Sequence, residues 1–502
     1  MKRIEFQIGI WMVIITLLFT GCTKEDVQKR PTIIVEDYNG TDMKKINQYH
    51  MDLVFDPKNK TIKGNQRIEY INQENISLNE VYFHLYPNVF SKKETAPFWD
   101  EDFKEAYPNG FGFGGIKIKE VSIDNQKINY TIEGKDDTIM KVPLLKSLKP
   151  GEKVTIEMTY TIKLPPARER FGYGEDIFNL GNFYPIAAVY DETGWNLDPY
   201  YVIGDPFYSD VSNYDVHIET PKDYIVAASG NIIKDQMKDQ KRKWEIEAKL
   251  MRDFAFVTSN RFEVENQEVE GTTLNMYFLK DKNIEKDVKK QATKAAQKSL
   301  QTFNKIYGKY PYGQYSVVQT NFPSGMEYPG IVLIDKNCYD ENYIDYLEMV
   351  IVHESAHQWW YGVVGNDEID EAWLDEGLTN YSEVIYTIEN YGKQKGKEYH
   401  KYMNEQEYEM IKKDGKIKNE RILRPLDEFE GWEDYGVLVY NKGAMFMNSL
   451  YEKYGKEKFY EMMNKYYETY KFKNATTKDF QKICEEVMGE NMEDLFKEWI
   501  YK

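Results

Sequence analysis

From Tyr49 onward the chain alternates apolar and polar residues with a period of two. Met51-Asp52-Leu53-Val54-Phe55-Asp56 and Gln66-Arg67-Ile68-Glu69-Tyr70-Ile71 are representative, with Asp56-Pro57 and Lys63-Gly64-Asn65 as turn signals. That spacing sends successive side chains to opposite faces of an extended strand, one face buried and one wet. The pattern recurs at residues 153–158, 215–219 and 243–247, which predicts a β-rich domain over residues 46–265. Its middle, residues 168–205, is rich in Gly, Tyr and Phe and is expected to form long loops facing a site. After Asn275 the period changes. Residues 283–307 predict a charged amphipathic helix closed by Gly308, residues 315–319 and 330–334 predict strands, and from Ile344 the pattern is helical. A second domain is therefore expected over residues 266–502. No internal repeat or low-complexity tract appears.

With 502 residues, two or more cores are expected. Apolar content of 41% is enough to fill them, and the negative mean hydropathy excludes a polytopic membrane protein. A net charge of -18 leaves nothing to neutralise phosphates, so no nucleic-acid partner is expected. Cys22, Cys338 and Cys484 are too few and too scattered for a disulfide framework. The first 22 residues read as a targeting segment: Lys2 and Arg3, then an apolar run from Ile8 to Thr20 too short to span a bilayer comfortably. The run ends in Gly21-Cys22 before polar Thr23-Lys24-Glu25-Asp26, which looks like a bacterial lipoprotein signal with Cys22 lipidated. Phe19 departs from the usual Leu, and an ordinary secretory signal or a membrane anchor remains the alternative. Each reading puts the chain outside the cytoplasm, on the outer face of a bacterial membrane if lipid-anchored. Residues 23–45, with Pro31 and Asn39-Gly40, are expected to be a tether.

The chemistry concentrates in residues 353–376. Met349-Val350-Ile351-Val352 runs without Gly or Pro into His353-Glu354-Ser355-Ala356-His357 and on to Gln358-Trp359-Trp360, a buried-helix pattern. Residues four apart share a helix face, so both imidazoles stand side by side. Glu376 follows eighteen residues later within Trp373-Leu374-Asp375-Glu376-Gly377. Two imidazoles and a distant carboxylate form the three-ligand set of one catalytic zinc with an open fourth position. Glu354, one step round the helix, is placed to act on a water as general base and then general acid. The bland reading, a pair of satisfied core histidines, loses weight because the chain has only six His and Glu376 completes the set. His50, His84 and His217 show no partner at ligand spacing and are expected to be structural or solvated.

Four elements together resemble the zinc aminopeptidases of the aminopeptidase N family. They are His353-Glu354-x-x-His357 with Glu376, the Trp373–Gly377 context, Gly325-Met326-Glu327 and Tyr440-Asn441-Lys442-Gly443-Ala444. Weaker likeness reaches back to Arg252-Asp253-Phe254-Ala255-Phe256, at the usual domain junction. The resemblance implies a β-rich domain followed by a thermolysin-like α+β, mainly helical catalytic domain. It implies that Glu327 binds the substrate's free α-amine, that the backbone of Gly325 and Met326 lines the peptide's bed, and that Tyr440 donates to the oxyanion. Peptides are the implied substrates. Departures are Ser324 and Tyr328 around the Gly-Met-Glu element, and a first-domain stretch echoed only distantly by Asn182-Phe183-Tyr184-Pro185-Ile186-Ala187. The large helical C-terminal domain of longer relatives is absent from the sequence, which predicts a more open cleft. The alternatives are a zinc endopeptidase and a catalytically silent peptide-binding lipoprotein.

Overall fold

The computed structural model describes residues 31–281 and 284–502; the stretch expected to be a signal segment, with Cys22, lies outside these. The period-two runs form one eight-stranded sheet. Its strands are β1 (Gln48–Asp56), β2 (Thr61–Ile71), β3 (Gly115–Ile123), β4 (Gln126–Lys127), β5 (Lys153–Lys163), β6 (Ser212–Pro221), β7 (Asn231–Lys238) and β8 (Lys241–Met251). They lie in the order β7-β8-β6-β1-β2-β5-β3-β4, and only β1 and β6 pair in parallel. On β1, Met51, Leu53 and Phe55 are buried while Asp52 and Val54 face water, as the alternation requires. Two four-stranded sheets pack in the same domain. One contains Phe171–Gly174 and Ile177–Leu180, the other Leu78–His84 and Ile139–Leu148.

A second sheet opens the C-terminal half: β9 (Phe262–Val269), β10 (Thr272–Leu279), β11 (Gln314–Thr320), β12 (Gly325–Met326) and β13 (Ile331–Asp335), in the order β9-β10-β11-β13-β12. Strand β9 straddles the boundary expected at residue 265 and hairpins onto β10, so the sheet begins slightly earlier than the change of texture. Strands β10, β11 and β13 are parallel, and β12 runs antiparallel on the edge. Between β10 and β11 comes α1 (Lys286–Ile306), whose Val288, Ala292, Ala295, Leu300 and Phe303 are buried, as its amphipathic pattern predicts.

The helical remainder comprises α2 (Ile344–Ala356), α3 (Trp373–Tyr391), α4 (Lys393–His400), α5 (Gln406–Lys413), α6 (Gly443–Tyr470), α7 (Thr477–Met488) and α8 (Glu493–Trp499). Two features tie the halves together. The buried Arg252 guanidinium donates from Nε to the Tyr361 carbonyl at 2.9 Å and from Nη2 to the Lys473 carbonyl at 3.1 Å. Gly365 lies so close that a Cβ there would meet the guanidinium carbon at 2.0 Å. The other tie corrects the expectation of a free tether. From Pro31 the segment is bound: Ile34 N–H donates to the Pro311 carbonyl at 2.8 Å, and Asp37 pairs with Lys471 at 2.9 Å. It straps the C-terminal half to the β-rich half, because Thr32 also donates to Glu247 on β8 at 3.0 Å.

Candidate active site

The apolar run before His353 buries Leu347, Ile351 and Val352 on α2, which fixes the roll of that helix and turns His353 and His357 toward α3. Glu376 sits in the first turn of α3. Its Oε2 lies 3.3 Å from His353 Nε2 and 3.2 Å from His357 Nε2, and the two nitrogens are 3.1 Å apart. Ligands held at about 2.0–2.1 Å in a tetrahedron stand roughly 3.3 Å from one another, so this triangle has the dimensions of three zinc ligands.

The other ring nitrogens face carboxylates that orient the two imidazoles. His353 Nδ1 meets Glu383 Oε1 at 2.7 Å, and His357 Nδ1 meets Asp375 Oδ1 at 2.5 Å. Each Nδ1–H therefore donates to a carboxylate, and both Nε2 lone pairs converge on a third carboxylate. Three electron-rich atoms facing one another at this range are reconciled by a cation, so the residues fit the zinc that the spacing predicts.

The pocket is strongly acidic. Burial pulls the His353 imidazole down, but hydrogen-bonded Glu376 and Glu383 outweigh it and push it up to about 10. His357 is likewise lowered by burial and carried well above its usual value by Asp375 and Glu327. Burial pushes Glu354 and Asp375 each up to about 7, opposed mainly by the imidazoles, while Glu327 is pushed well up by burial and then by Asp205. A divalent ion would relieve this excess of negative charge.

These groups line a cleft of about 620 Å3 between the two halves. The stretch 168–205, expected as long loops, carries the strands Phe171–Gly174 and Ile177–Leu180 and shorter ones after them, and it reaches the cleft through Glu169, Arg170, Tyr200 and Asp205. Edge strand β12 brings Gly325 against Glu354, and Glu327 follows it as a buried residue of the cleft lining. Glu354 Oε2 and Glu327 Oε1 are buried oxygens without a hydrogen-bond partner, so both are available to something entering the cleft. Tyr440 lies on the π-helical turn Gly436–Lys442, its hydroxyl 2.5 Å from Glu376 Oε1 and its ring stacked 5.9 Å from that of His353. Every residue predicted for the site is thus brought together, except Cys22, outside the described residues.

Sequence reasoning left several partners without roles. Glu383, which orients His353 and accepts from Tyr399, is seven residues past Glu376 on the same face of α3, a spacing that could have singled it out. Asp375 was visible only as a motif neighbour. Gln358 carried no signal; its Oε1 accepts from Gly330 N–H at 2.7 Å and its Nε2 donates to the carbonyls of Glu327 and Tyr328 at 3.3 Å. The departure at Tyr328 has a structural answer. Its hydroxyl donates to Asn182, whose amide donates to Asp253 at 2.8 Å, a carboxylate that Tyr184 also reaches at 2.8 Å. The distant echo at residues 182–187 is therefore what locks the β-rich half onto the segment carrying Glu327.

Residues 291–499 match the model of the peptidase family M1 domain, and that span holds all three zinc donors, Glu327, Glu354 and Tyr440. Those residues are a peptidase family M1 domain. The chain is similar to human endoplasmic reticulum aminopeptidase 2, 23% identical over 435 residues, 79% of this chain and 43% of the relative. Glutamyl aminopeptidase of Bitis rhinoceros is 29% identical over 153 residues, 30% of this chain and 16% of the relative. The chain thus spans less than half the length of these curated relatives. The crystal structure of an M1 zinc metallopeptidase from Deinococcus radiodurans superposes with a TM-score of 0.64 at 16% identity, covering 91% of this chain and 94% of that one. That likeness establishes the family's two-part fold: β-rich half first, helical half after.

Proposed function

We propose that the chain is a zinc-dependent aminopeptidase that removes residues from the amino end of peptides, with one zinc held by His353, His357 and Glu376. The observation that carries this reading is Glu327: a buried carboxylate with an unpartnered oxygen, lining the same cleft as the proposed zinc donors. A peptide's ammonium group satisfies such a carboxylate, and its pairing sets the distance from chain end to scissile bond. Bound zinc would supply Lewis acidity toward the scissile carbonyl and the attacking water. The chain's own groups do the rest. Glu354 takes the proton of the attacking water and delivers it to the leaving amine. Burial carries the Tyr440 phenol well above its usual pKa, so it stays neutral and can donate to the oxyanion. The edge of β12 offers unpaired backbone groups along which an extended peptide can lie.

The names of relatives such as human endoplasmic reticulum aminopeptidase 2 support the exopeptidase reading over an endopeptidase. The test is a panel of aminoacyl-anilides with free and with acetylated amines. Cleavage of the free forms alone is expected; equal cleavage of both would overturn the amine-directed reading. Loss of turnover with zinc retained in Glu354→Gln separates an enzyme from a silent binder.

The N-terminal residues support a location for this activity: lipidation at Cys22 would hold the enzyme on the outer face of a bacterial membrane. Incorporation of labelled fatty acid into the full chain, abolished in Cys22→Ala, tests the anchor.

A further inference from the structure

Two histidines expected to be isolated are brought together on the large sheet. Strands β1 and β6 run parallel with His50 opposite Asp215 and Asp52 opposite His217. The sequence contains His50-x-Asp52 on one strand and the reversed Asp215-x-His217 on the other, 165 residues apart. Residues two apart on a strand share a face, so all four side chains stand on the outer face of the sheet. The reversal makes each imidazole diagonal to the other and adjacent to both carboxylates.

The distances are those of a closed ring. His50 Nδ1 is 3.0 Å from Asp215 Oδ2 and His50 Nε2 is 3.4 Å from Asp52 Oδ2. His217 Nδ1 is 3.0 Å from Asp52 Oδ1 and His217 Nε2 is 3.5 Å from Asp215 Oδ1. The imidazoles meet edge to face with centroids 5.1 Å apart. Donor atoms of His50, Asp52 and His217 all lie within 4.8 Å of one another. The side chains are half-exposed, and beside them opens a groove lined by His50, Asp52, Asn65, Arg67, Glu120 and Glu157.

We propose that His50, Asp52, Asp215 and His217 form a second divalent metal site, of the zinc class, distant in function from the catalytic one. Two imidazoles and two carboxylates are a donor set suited to a borderline ion with tetrahedral preference. The two aspartates bring negative charge that a divalent ion would offset. The donors stand 3.0–3.5 Å apart on half-exposed side chains, which rotations can bring onto one ion. Such an ion would clasp β1 to β6, the one parallel pair in the sheet, joining strands far apart in sequence.

The readout is metal count and does not depend on the cleft's activity. The full chain is loaded with zinc, dialysed against zinc-free buffer, titrated again with Zn2+ in competition with a chromophoric chelator, and compared with the double variant His50→Asn, His217→Asn. The expected result is two equivalents in the native chain and one in the variant, with hydrolysis of aminoacyl-anilides unchanged. One equivalent in both proteins overturns the site. Two in both also overturns it, because the second ion then binds elsewhere. Asp52→Asn, at an exposed position, provides a milder variant expected to weaken the second equivalent at least tenfold; unchanged affinity there counts against the proposal.

Discussion

Gly325 and Glu354 interlock across the cleft floor: a Cβ built on Gly325 would lie 2.0 Å from Glu354 Oε1 and 2.4 Å from its carboxyl carbon. Glu354, the proposed general base, is thus seated against bare backbone of the edge strand. Gly325→Ala forces Glu354 out of that seat while leaving the three zinc donors untouched. A displacement of about 1 Å at a reacting group can cost on the order of 10²-fold in rate. The expected outcome is a kcat lowered about that much with zinc content unchanged. Metal analysis beside steady-state kinetics checks it, and wild-type kcat in the variant would show that the contact positions nothing.

The carboxylates behind the imidazoles are expected to govern metal affinity. Glu383 accepts from His353 Nδ1 at 2.7 Å, and Asp375 from His357 Nδ1 at 2.5 Å. Removing such a partner costs about 10–100-fold in metal affinity. Glu383→Gln should therefore bind zinc that much more weakly, while enzyme saturated with zinc recovers most of its turnover. Competition with a chelator measures the first, and activity at rising free zinc the second.

Tyr440 depends on a helix crossing. A Cβ on Gly443 would stand 2.9 Å from Gly377 Cα, so α3 and α6 touch backbone to backbone just beyond Glu376 and Tyr440. Tyr440→Phe is expected to lower kcat by about 10²–10³-fold with little change in KM, the loss of one oxyanion donor. Gly443→Ala should cost about 1–3 kcal/mol through overpacking and carry part of the same kcat loss by moving the turn that holds Tyr440. Urea unfolding together with kinetics distinguishes the two; a destabilised Gly443→Ala with normal kcat would uncouple the crossing from the chemistry.

What could be read from the sequence is what depends on local spacing. His353 and His357 share a face because the helix repeats every 3.6 residues, and the alternation at residues 51–56 gives a half-buried strand without knowledge of its neighbours. The glycines of the two downstream motifs were visible, but not that Gly377 and Gly443 meet each other. The illegible part is long-range. Nothing local foretells that Tyr328 will reach Asn182, that Gln358 will hold the carbonyl of Glu327, or that residues 31–37 will bind along residues 311–313 and 471. The same gap hid the meeting of His50 and His217, because parallel pairing of strands so far apart is set by the whole sheet.

His84 makes stability sensitive to acid. The ring is buried, stacked on Tyr86 at 4.7 Å, with Nε2 3.2 Å from the Asn196 carbonyl and Nδ1 unpartnered. Burial pulls its pKa down to about 4 from an ordinary 6.5. The folded state holds this imidazole neutral, so its contribution is fully present above pH 6.5, falls as the unfolded chain gains the proton, and is gone once pH drops through about 4. A shift of that size corresponds to about 3 kcal/mol across the window. Buried His400, also lowered to about 4, acts in the same direction. His84→Gln keeps a donor for the Asn196 carbonyl but cannot titrate. It is expected to lose about 1 kcal/mol at pH 8 and to show a shallower decline between pH 6.5 and 4, with His400 supplying the residual slope. Urea midpoints at matched pH values measure this, and an unchanged slope in His84→Gln would show that the acid sensitivity lies elsewhere.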